Sequence, residues 1–125
     1  WKRYLRNAGL NAAAAPQHRK MKLKWLRLMG ECDEIVTDPE GRLCVVEFKT
    51  KAQHLFTRLE APDEAHRLQV HAYMGGLGID QSIVLYEAKN DQSIRAFYVE
   101  RDPETWAEIV RRLQRLRRMA ESDHA

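Results

Sequence analysis

The chain is 125 residues long and has a mass of 14.6 kDa, which suits one compact domain with a core of its own. Apolar residues make up 44% and charged residues 31%, a balance that excludes a wholly disordered chain. No apolar stretch approaches the ~20 residues of a membrane span, and no signal peptide is seen. Two cysteines are too few for a disulfide framework, so we expect a protein of the reducing cytoplasm. We expect a single domain over 1–125. Because the first residue is Trp1 rather than Met, residues that precede it in the full protein can be missing from this sequence.

Basic residues are concentrated towards the two ends of the chain. Residues 1–30 carry eight of the 21 lysines and arginines and none of the 18 acidic residues, and a second basic cluster lies at 111–118. Two basic segments around a more acidic middle suit a protein that binds a polyanion around a metal or catalytic centre. Solvated surface is the alternative, and for the cluster at 111–118 it is the favoured interpretation.

The first half of the chain predicts a helix followed by three strands. The helix covers 1–14, and the alternation of apolar and basic residues over 21–25 is typical of a half-buried strand. Two further strands, 31–37 and 43–49, flank the sequence Asp-Pro-Glu-Gly at 38–41, which has the residue preferences of a tight turn.

The second half predicts a helix, a hairpin and a final helix. The first of these helices begins near Asp63 and ends at the glycine pair 75–76, and the hairpin strands are 82–87 and 93–99. The final helix begins at Asp102, an N-cap residue followed by proline. The order α-β-β-β-α-β-β-α predicts a mixed α/β domain with a small central sheet flanked by helices.

Two carboxylates are expected to meet across the hairpin of strands 31–37 and 43–49. Asp33 and Glu47 are symmetric about position 40 in the turn, so an antiparallel pairing places them opposite each other. Lys49 lies two residues after Glu47 and leaves the same face of the strand. Adjacent carboxylates repel unless a cation lies between them or one is protonated, and Mg²⁺ or Mn²⁺ is the natural ion for oxygen ligands.

An exposed ion pair between Glu47 and Lys49 is the alternative for this strand. For an isolated Glu-x-Lys sequence we would favour that interpretation. The neighbours here are Val45, Val46 and Phe48, and charges among buried apolar residues need a partner or a function.

Three short motifs now give a resemblance to a known family. Residues 30–33 (Gly-Glu-Cys-Asp), 45–50 (Val-Val-Glu-Phe-Lys-Thr) and 69–73 (Gln-Val-His-Ala-Tyr) resemble the G-x-x-D, V-V-(D/E)-(Y/F)-K-(T/S) and Q-x-x-x-Y motifs of PD-(D/E)XK nucleases, in the RecB-like branch that includes lambda-type exonucleases. The resemblance implies a restriction-endonuclease-like core. Branch members with an iron–sulfur cluster use four cysteines, so with only Cys32 and Cys44 we expect no cluster.

By this resemblance, Asp33 and Glu47 are metal ligands, helped by the backbone carbonyl of Phe48. Lys49 stabilises the attacking water or the charge that develops on the phosphate. The branch also has an upstream ligand, for which His18 is the candidate; a ligand preceding Trp1 and an incomplete site remain the alternatives.

The resemblance also implies contacts with DNA. Gln69 and Tyr73 line the site and contact the DNA backbone, and because residues three or four apart share a helix face, His66 can join them. A polar helix edge is the alternative interpretation. Basic residues near the N-terminus would hold the strand through phosphate contacts; the lysines assigned to this role are Lys20, Lys22 and Lys24.

We therefore expect a Mg²⁺- or Mn²⁺-dependent DNA nuclease, with an exonuclease slightly favoured by analogy with small members of the branch. The expected setting is recombination, repair or phage DNA metabolism, in the cytoplasm or in that of a phage host, with DNA and a recombination or replication protein as partners. Oligomeric state stays open. A nucleic-acid-binding module that no longer cleaves is the second hypothesis, and a metal-free structural domain is the third.

Overall fold

The structure is a computed structural model that describes residues 2–12, 19–26 and 28–123. In chain order its elements are α1 (Lys2–Asn7), β1 (Asn11–Ala12), β2 (Lys20–Leu23), a 3₁₀ turn (Lys24–Leu26), β3 (Leu28–Glu31), β4 (Glu34–Thr37), β5 (Leu43–Lys51), α2 (Gln53–Phe56), α3 (Glu64–Leu77), β6 (Gln81–Ala88), β7 (Ile94–Glu100) and α4 (Pro103–Asp123). Within these ranges no helix is both long enough and apolar enough to span a membrane.

Five strands form the main sheet in the order β1-β4-β5-β6-β7, and β2 and β3 form a separate hairpin. Strands β5 and β6 are parallel, while the other neighbours are antiparallel. A parallel pair requires a crossover connection, and α2 and α3 supply it between β5 and β6. The mixed α/β class predicted from the sequence is therefore confirmed.

Both faces of the central strands are buried. On one face, Val45 and Val84 pack with α3 residues such as Val70 and Met74. On the other face, Val46 and Leu85 pack in a cluster that includes Leu5 of α1. Helix α3 contacts β5 and β6 on the first face and also contacts the β2 strand and α4. Helix α3 therefore covers the face of the sheet that carries Val45, Glu47 and Lys49.

The glycine pair at 75–76 lies in the last turn of α3, and the helix ends at Leu77, one residue beyond the predicted end. A Cβ on Gly75 would lie 2.2 Å from Cε3 of Trp106, and one on Gly76 would lie 2.0 Å from Sδ of Met21. These glycines let α4 and β2 approach the helix. The C-cap residue is Gly78, which has a left-handed φ of 71° and whose N–H bonds the Met74 carbonyl.

The predicted strand 31–37 is two strands in two different sheets. Residues up to Glu31 pair with β2, and residues from Glu34 pair with β5. Between them, the Cys32 N–H donates to the Arg19 carbonyl at 3.0 Å, and Asp33 leaves the ladder. Alternation of apolar residues does not reveal this exchange of partners, since both segments are extended.

The first helix is also shorter than predicted. It covers Lys2–Asn7, and Gly9, with a φ of 82°, turns the chain so that the Leu10 N–H bonds the Leu5 carbonyl at 2.9 Å. The chain is extended by Asn11 in β1. The last two residues of the predicted helix, 13 and 14, lie outside the described residues.

Candidate active site

The candidate site lies where the β4–β5 ladder ends. The turn predicted over 38–41 is present: the Gly41 N–H bonds the Asp38 carbonyl at 2.9 Å, and the Asp38 carboxylate accepts the N–H groups of Glu40 and Arg42. These bonds lower the pKa of Asp38 to about 2, the backbone N–H of Arg42 having the largest effect. The turn sets a register in which the last pair is Glu34 with Val46, so the next position of each strand brings Asp33 opposite Glu47.

Two hydrogen bonds join these residues. The Asp33 N–H donates to Oε1 of Glu47 at 3.0 Å, and the Phe48 N–H donates to Oδ2 of Asp33 at 2.8 Å. Because the N–H and C=O of one strand residue point to the same side, the Phe48 carbonyl also faces the Asp33 side of β5. Two carboxylates and one carbonyl therefore converge at the end of the ladder.

Glu47 is buried among apolar residues, with 3% of its surface exposed. Burial raises the pKa of this carboxyl to about 7; the Asp33 carboxylate adds to the rise, and the Asp33 N–H and the Lys49 ammonium oppose it. A buried carboxylate beside a second carboxylate is costly unless a cation compensates. The pair therefore has the electrostatic character of a cation site.

Lys49 leaves the same face of β5 as Glu47 and is half-buried. It has no hydrogen bond or ion pair with any residue in the described part of the chain. The exposed Glu47–Lys49 ion pair considered as the alternative is therefore wrong. The ammonium group is available to an anionic ligand beside the two carboxylates.

Helix α3 places two of the predicted residues over this face. Tyr73 is buried, with its ring against Gly30, and its hydroxyl donates to the Glu31 carbonyl at 2.9 Å. It thereby fixes the segment that leads into Asp33, and the DNA contact assigned to it stays a prediction. Gln69, one turn earlier, is half-buried, and its amide has no partner among residues 2–12, 19–26 and 28–123.

The donor set suits a small, hard divalent cation. Mg²⁺ prefers oxygen ligands, commonly takes one or two protein carboxylates, and keeps several waters or substrate oxygens. No cluster of three or more His, Cys, Asp or Glu side chains that could hold a metal exists in the described residues. Asp33 and Glu47 with the Phe48 carbonyl therefore fit a site completed by water and ligand, whereas His18 lies outside the described residues.

A comparison with protein families decides the classification. The family model of the PD-(D/E)XK nuclease superfamily matches residues 2–124. The chain belongs to this superfamily. The family predicted from the three motifs is thus confirmed, and members of this superfamily generally use divalent metal ions.

Solved structures share the fold of this PD-(D/E)XK chain. LHK-Exo in complex with dAMP matches 97% of the chain with a TM-score of 0.70 and 17% identity, and an alkaline exonuclease (LHK-Exo) from Laribacter hongkongensis matches 96% with a TM-score of 0.62 and 17% identity. SSO0001 matches 86% with a TM-score of 0.53 and 19% identity. The fold is therefore the restriction-endonuclease-like fold expected from the resemblance.

The chain is shorter than these neighbours. It spans 62% of the length of LHK-Exo in the dAMP complex, 68% in the other LHK-Exo structure and 47% of SSO0001. No curated protein matches it.

Arg19 is a site residue of this superfamily member that sequence reasoning missed. Its Nη1 donates to the Asp33 carbonyl at 2.8 Å, and its Nη2 lies 3.7 Å from Oε1 of Glu31. In the sequence it is one basic residue among the eight of residues 1–30. No motif marks it, since its contact with Asp33 spans 14 residues and two sheets.

A buried network beside Lys49 was also missed. Tyr86 of β6 is fully buried, and its hydroxyl lies 2.6 Å from Nδ1 of His66 and accepts the Asp63 N–H at 3.0 Å. Lys51 bonds the Asp63 carboxylate. His66 is thus held by a tyrosine that carries no motif, and the part in the site assigned to it from its position on the helix stays a prediction.

The lysines assigned to phosphate contacts are on the surface. Lys20, Lys22 and Lys24 are all exposed, and within the described ranges none has an ion-pair partner. They lie on β2 and the 3₁₀ turn, beside α3. Cys32, next to Asp33, is buried, and burial raises the pKa of its thiol to about 12, which makes it a poor nucleophile.

Proposed function

We propose that this chain is a Mg²⁺- or Mn²⁺-dependent DNA nuclease that hydrolyses phosphodiester bonds. The observation that carries the proposal is the hydrogen-bonded pair of Asp33 and Glu47, with Lys49 on the same face of β5 and without a partner among the described residues. Membership of the nuclease superfamily supports the reaction class. The role proposed for each residue follows from its position in the candidate site.

In this proposal Asp33, Glu47 and the Phe48 carbonyl hold the cation. When bound, such an ion neutralises phosphate charge and lowers the pKa of a coordinated water. Lys49 stabilises the negative charge that develops on the phosphate during in-line attack, because an ammonium fixed beside the reacting group needs no reorganisation. Arg19 holds the Asp33 backbone, which keeps that carboxylate in position. His18 remains the proposed upstream ligand.

Contacts with DNA are assigned to α3 and to the β2 hairpin. The amide of Gln69, which has no partner among the described residues, can donate to a phosphate oxygen and accept from a base or sugar, and His66 lies on the same helix three residues earlier. Tyr73 supports the site indirectly, because its hydroxyl bonds the Glu31 carbonyl in the segment before Asp33. The exposed cations Lys20, Lys22 and Lys24 attract the backbone through salt-sensitive, sequence-independent contacts.

An exonuclease is the favoured mode within this proposal. The fold is shared with a structure described as an alkaline exonuclease, which supports that choice by analogy of fold. The proposed setting is DNA recombination, repair or phage DNA metabolism in the cytoplasm, with a recombination or replication protein as a possible further partner.

A cleavage assay on end-labelled linear DNA tests the proposal. Single- and double-stranded substrates are incubated with Mg²⁺, with Mn²⁺ or with a chelator, and circular DNA distinguishes the two modes because an exonuclease needs an end. We expect degradation of linear DNA only with a divalent ion. Lys49→Ala lowers kcat roughly 10²- to 10³-fold, as expected for loss of one charge-stabilising group.

Asp80→Asn is the matched control for Asp33→Asn. The Asp80 carboxylate is exposed and pairs with Arg101 at the opposite end of the sheet, so its loss leaves cleavage unchanged. Asp33→Asn removes cleavage while the protein stays folded. DNA binding without cleavage by the wild-type chain would instead favour the non-catalytic binding module, and neither binding nor cleavage would favour the structural domain.

A further inference from the structure

The His66 ring contacts the hydroxyl of a fully buried tyrosine, Tyr86. Tyr86 has no exposed surface, whereas the side chain of His66 is 23% exposed. The two rings are tilted against each other with centroids 5.5 Å apart, and Nδ1 of His66 lies 2.6 Å from the Tyr86 oxygen. The buried edge of the imidazole is therefore the one that carries Nδ1.

The hydrogen-bond partners of the Tyr86 hydroxyl determine which ring nitrogen of His66 carries the proton. The oxygen already accepts the Asp63 N–H, and its own proton needs an acceptor. Among the described residues, Nδ1 of His66 is the acceptor within reach. If Nδ1 were protonated instead, the buried O–H would have no partner, and a buried donor left without an acceptor is strongly unfavourable.

The neighbouring charges agree with a neutral ring protonated on Nε2. The Asp63 carboxylate lies 3.7 Å from Nδ1, too far for a hydrogen bond, and it is already bonded by Lys51. Burial, followed by the Lys49 charge, lowers the pKa of His66. With Nδ1 accepting from Tyr86, the single ring proton is on Nε2.

This leaves the Nε2 N–H for a ligand. Nε2 is separated from Nδ1 by one ring carbon, and in the described part of the chain it has no hydrogen-bond partner and is not buried without one. His66 also lies close enough to Lys49 for the lysine charge to act on its ring. Tyr86 is the direct neighbour of Lys49 across the parallel β5–β6 ladder, so His66 above Tyr86 stands beside the Lys49 side chain.

We propose that Tyr86 is a positioning residue that keeps His66 in the Nε2–H tautomer, so that His66 presents a neutral N–H donor to a phosphodiester oxygen next to the Lys49 ammonium. The inference rests on the proposed function for its substrate, a nucleic-acid backbone. It adds to that function one hydrogen-bond donor, the His66 ring, whose orientation is set by the buried Tyr86 hydroxyl.

The tautomer is tested first, without any cleavage. Long-range ¹H–¹⁵N NMR spectra of histidine-labelled, metal-free protein distinguish the two ring nitrogens at a pH where His66 is neutral. We expect Nε2 protonated and Nδ1 bare in the wild type. In Tyr86→Phe we expect a mixture in which Nδ1–H gains population, because its nearest remaining acceptor is the Asp63 carboxylate. Nδ1 protonated in the wild type, or an unchanged ratio in Tyr86→Phe, overturns the inference.

Activity and binding are tested with amide variants that copy one ring nitrogen each. His66→Gln places an N–H near the position of Nε2, and His66→Asn places one near Nδ1. We expect kcat/KM on a single-stranded oligonucleotide to fall about 10- to 100-fold in His66→Asn, the effect of one hydrogen bond to a charged group, and to recover in large part in His66→Gln. Tyr98→Phe is the control for Tyr86→Phe, since its hydroxyl also bonds a side chain, Gln81, but away from the site.

The failures of the two proposals are distinguishable. A wild-type chain that never cleaves DNA removes the proposed function, while the tautomer and the affinity for the same oligonucleotide in chelator still decide the role of His66. Cleavage by the wild type with equal activity in His66→Gln, His66→Asn and Tyr86→Phe overturns this inference and leaves the nuclease in place. Thermal melting of each variant confirms that the compared proteins are folded.

Discussion

The backbone N–H of Asp33 donates to the buried Glu47 carboxylate at 3.0 Å, while the Asp33 carboxylate accepts the N–H of the residue that follows Glu47. Each acid is therefore oriented by the other strand. The arrangement holds two negative groups together at the end of a ladder, and its consequences for stability, ion binding and DNA binding can be measured.

The stability of the metal-free protein depends on the titration of Glu47. Its pKa is about 7 in the folded state and 4.5 when unperturbed, so between these values the folded state binds the extra proton. The free energy of unfolding therefore falls as pH rises through this window, by roughly 3 kcal/mol in total. Urea denaturation in chelator at about pH 5 and about pH 8 measures the fall.

Glu47→Gln is the control for this pH dependence, because it lacks the titrating group. The lowered pKa of His66 gives a slope of the opposite sign, but His66 is present in both proteins and cancels in the difference. A wild-type minus Glu47→Gln difference that stays flat across the window would contradict the assignment.

We expect a divalent cation to stabilise the folded chain. If the ion binds the paired carboxylates, which come together only in the folded state, Mg²⁺ or Mn²⁺ at about 100 times its Kd adds roughly 2.7 kcal/mol and raises Tm. The increase is lost in Asp33→Asn and kept in Asp80→Asn. Differential scanning calorimetry with and without the ion gives the answer, and an equal shift in both variants would mean that the ion binds elsewhere.

We expect DNA binding in chelator to depend on salt through the exposed lysines. If Lys22 contacts one phosphate, Lys22→Ala lowers the slope of log K against log salt by about 0.7 to 0.9, by the same amount for any sequence. Fluorescence anisotropy with two unrelated oligonucleotides measures it. A loss confined to one oligonucleotide, or an unchanged slope, would show that Lys22 makes no phosphate contact.

Gly75→Ala destabilises the fold despite the better helix propensity of alanine. Propensity gains up to about 1 kcal/mol, but the new methyl group meets the Trp106 ring, so we expect a net loss of roughly 1–3 kcal/mol in urea denaturation. Gly76→Ala costs less, because the atoms it meets belong to the flexible side chain of Met21. The reverse order of the two losses would contradict the packing described here.

The structural features that are set by residues close together in the sequence could be predicted. The turn at 38–41 and the β-branched and aromatic residues of 43–49 are local patterns, and together they bring Asp33 opposite Glu47 and put Lys49 on the same face as Glu47. The final helix likewise follows Asp102, whose Oδ1 accepts the Glu104 N–H at 3.2 Å.

Other parts were decided only by contacts between residues far apart in the chain. The strand predicted over 31–37 divides because Arg19 and Tyr73 hold its first part to the β2 hairpin and α3, while Val45 and Val46 pair with its second part.

The sequence by itself therefore determined which two acids meet at the candidate site: a short hairpin fixes its own register through its turn, and the register places Asp33 opposite Glu47. The tertiary structure decided what surrounds them. Burial of Glu47, the packing of α4 and β2 against the 75–76 glycines, and the bond from Tyr86 to His66 all require side chains from separate elements to fill the same space, and no local pattern records which elements will meet.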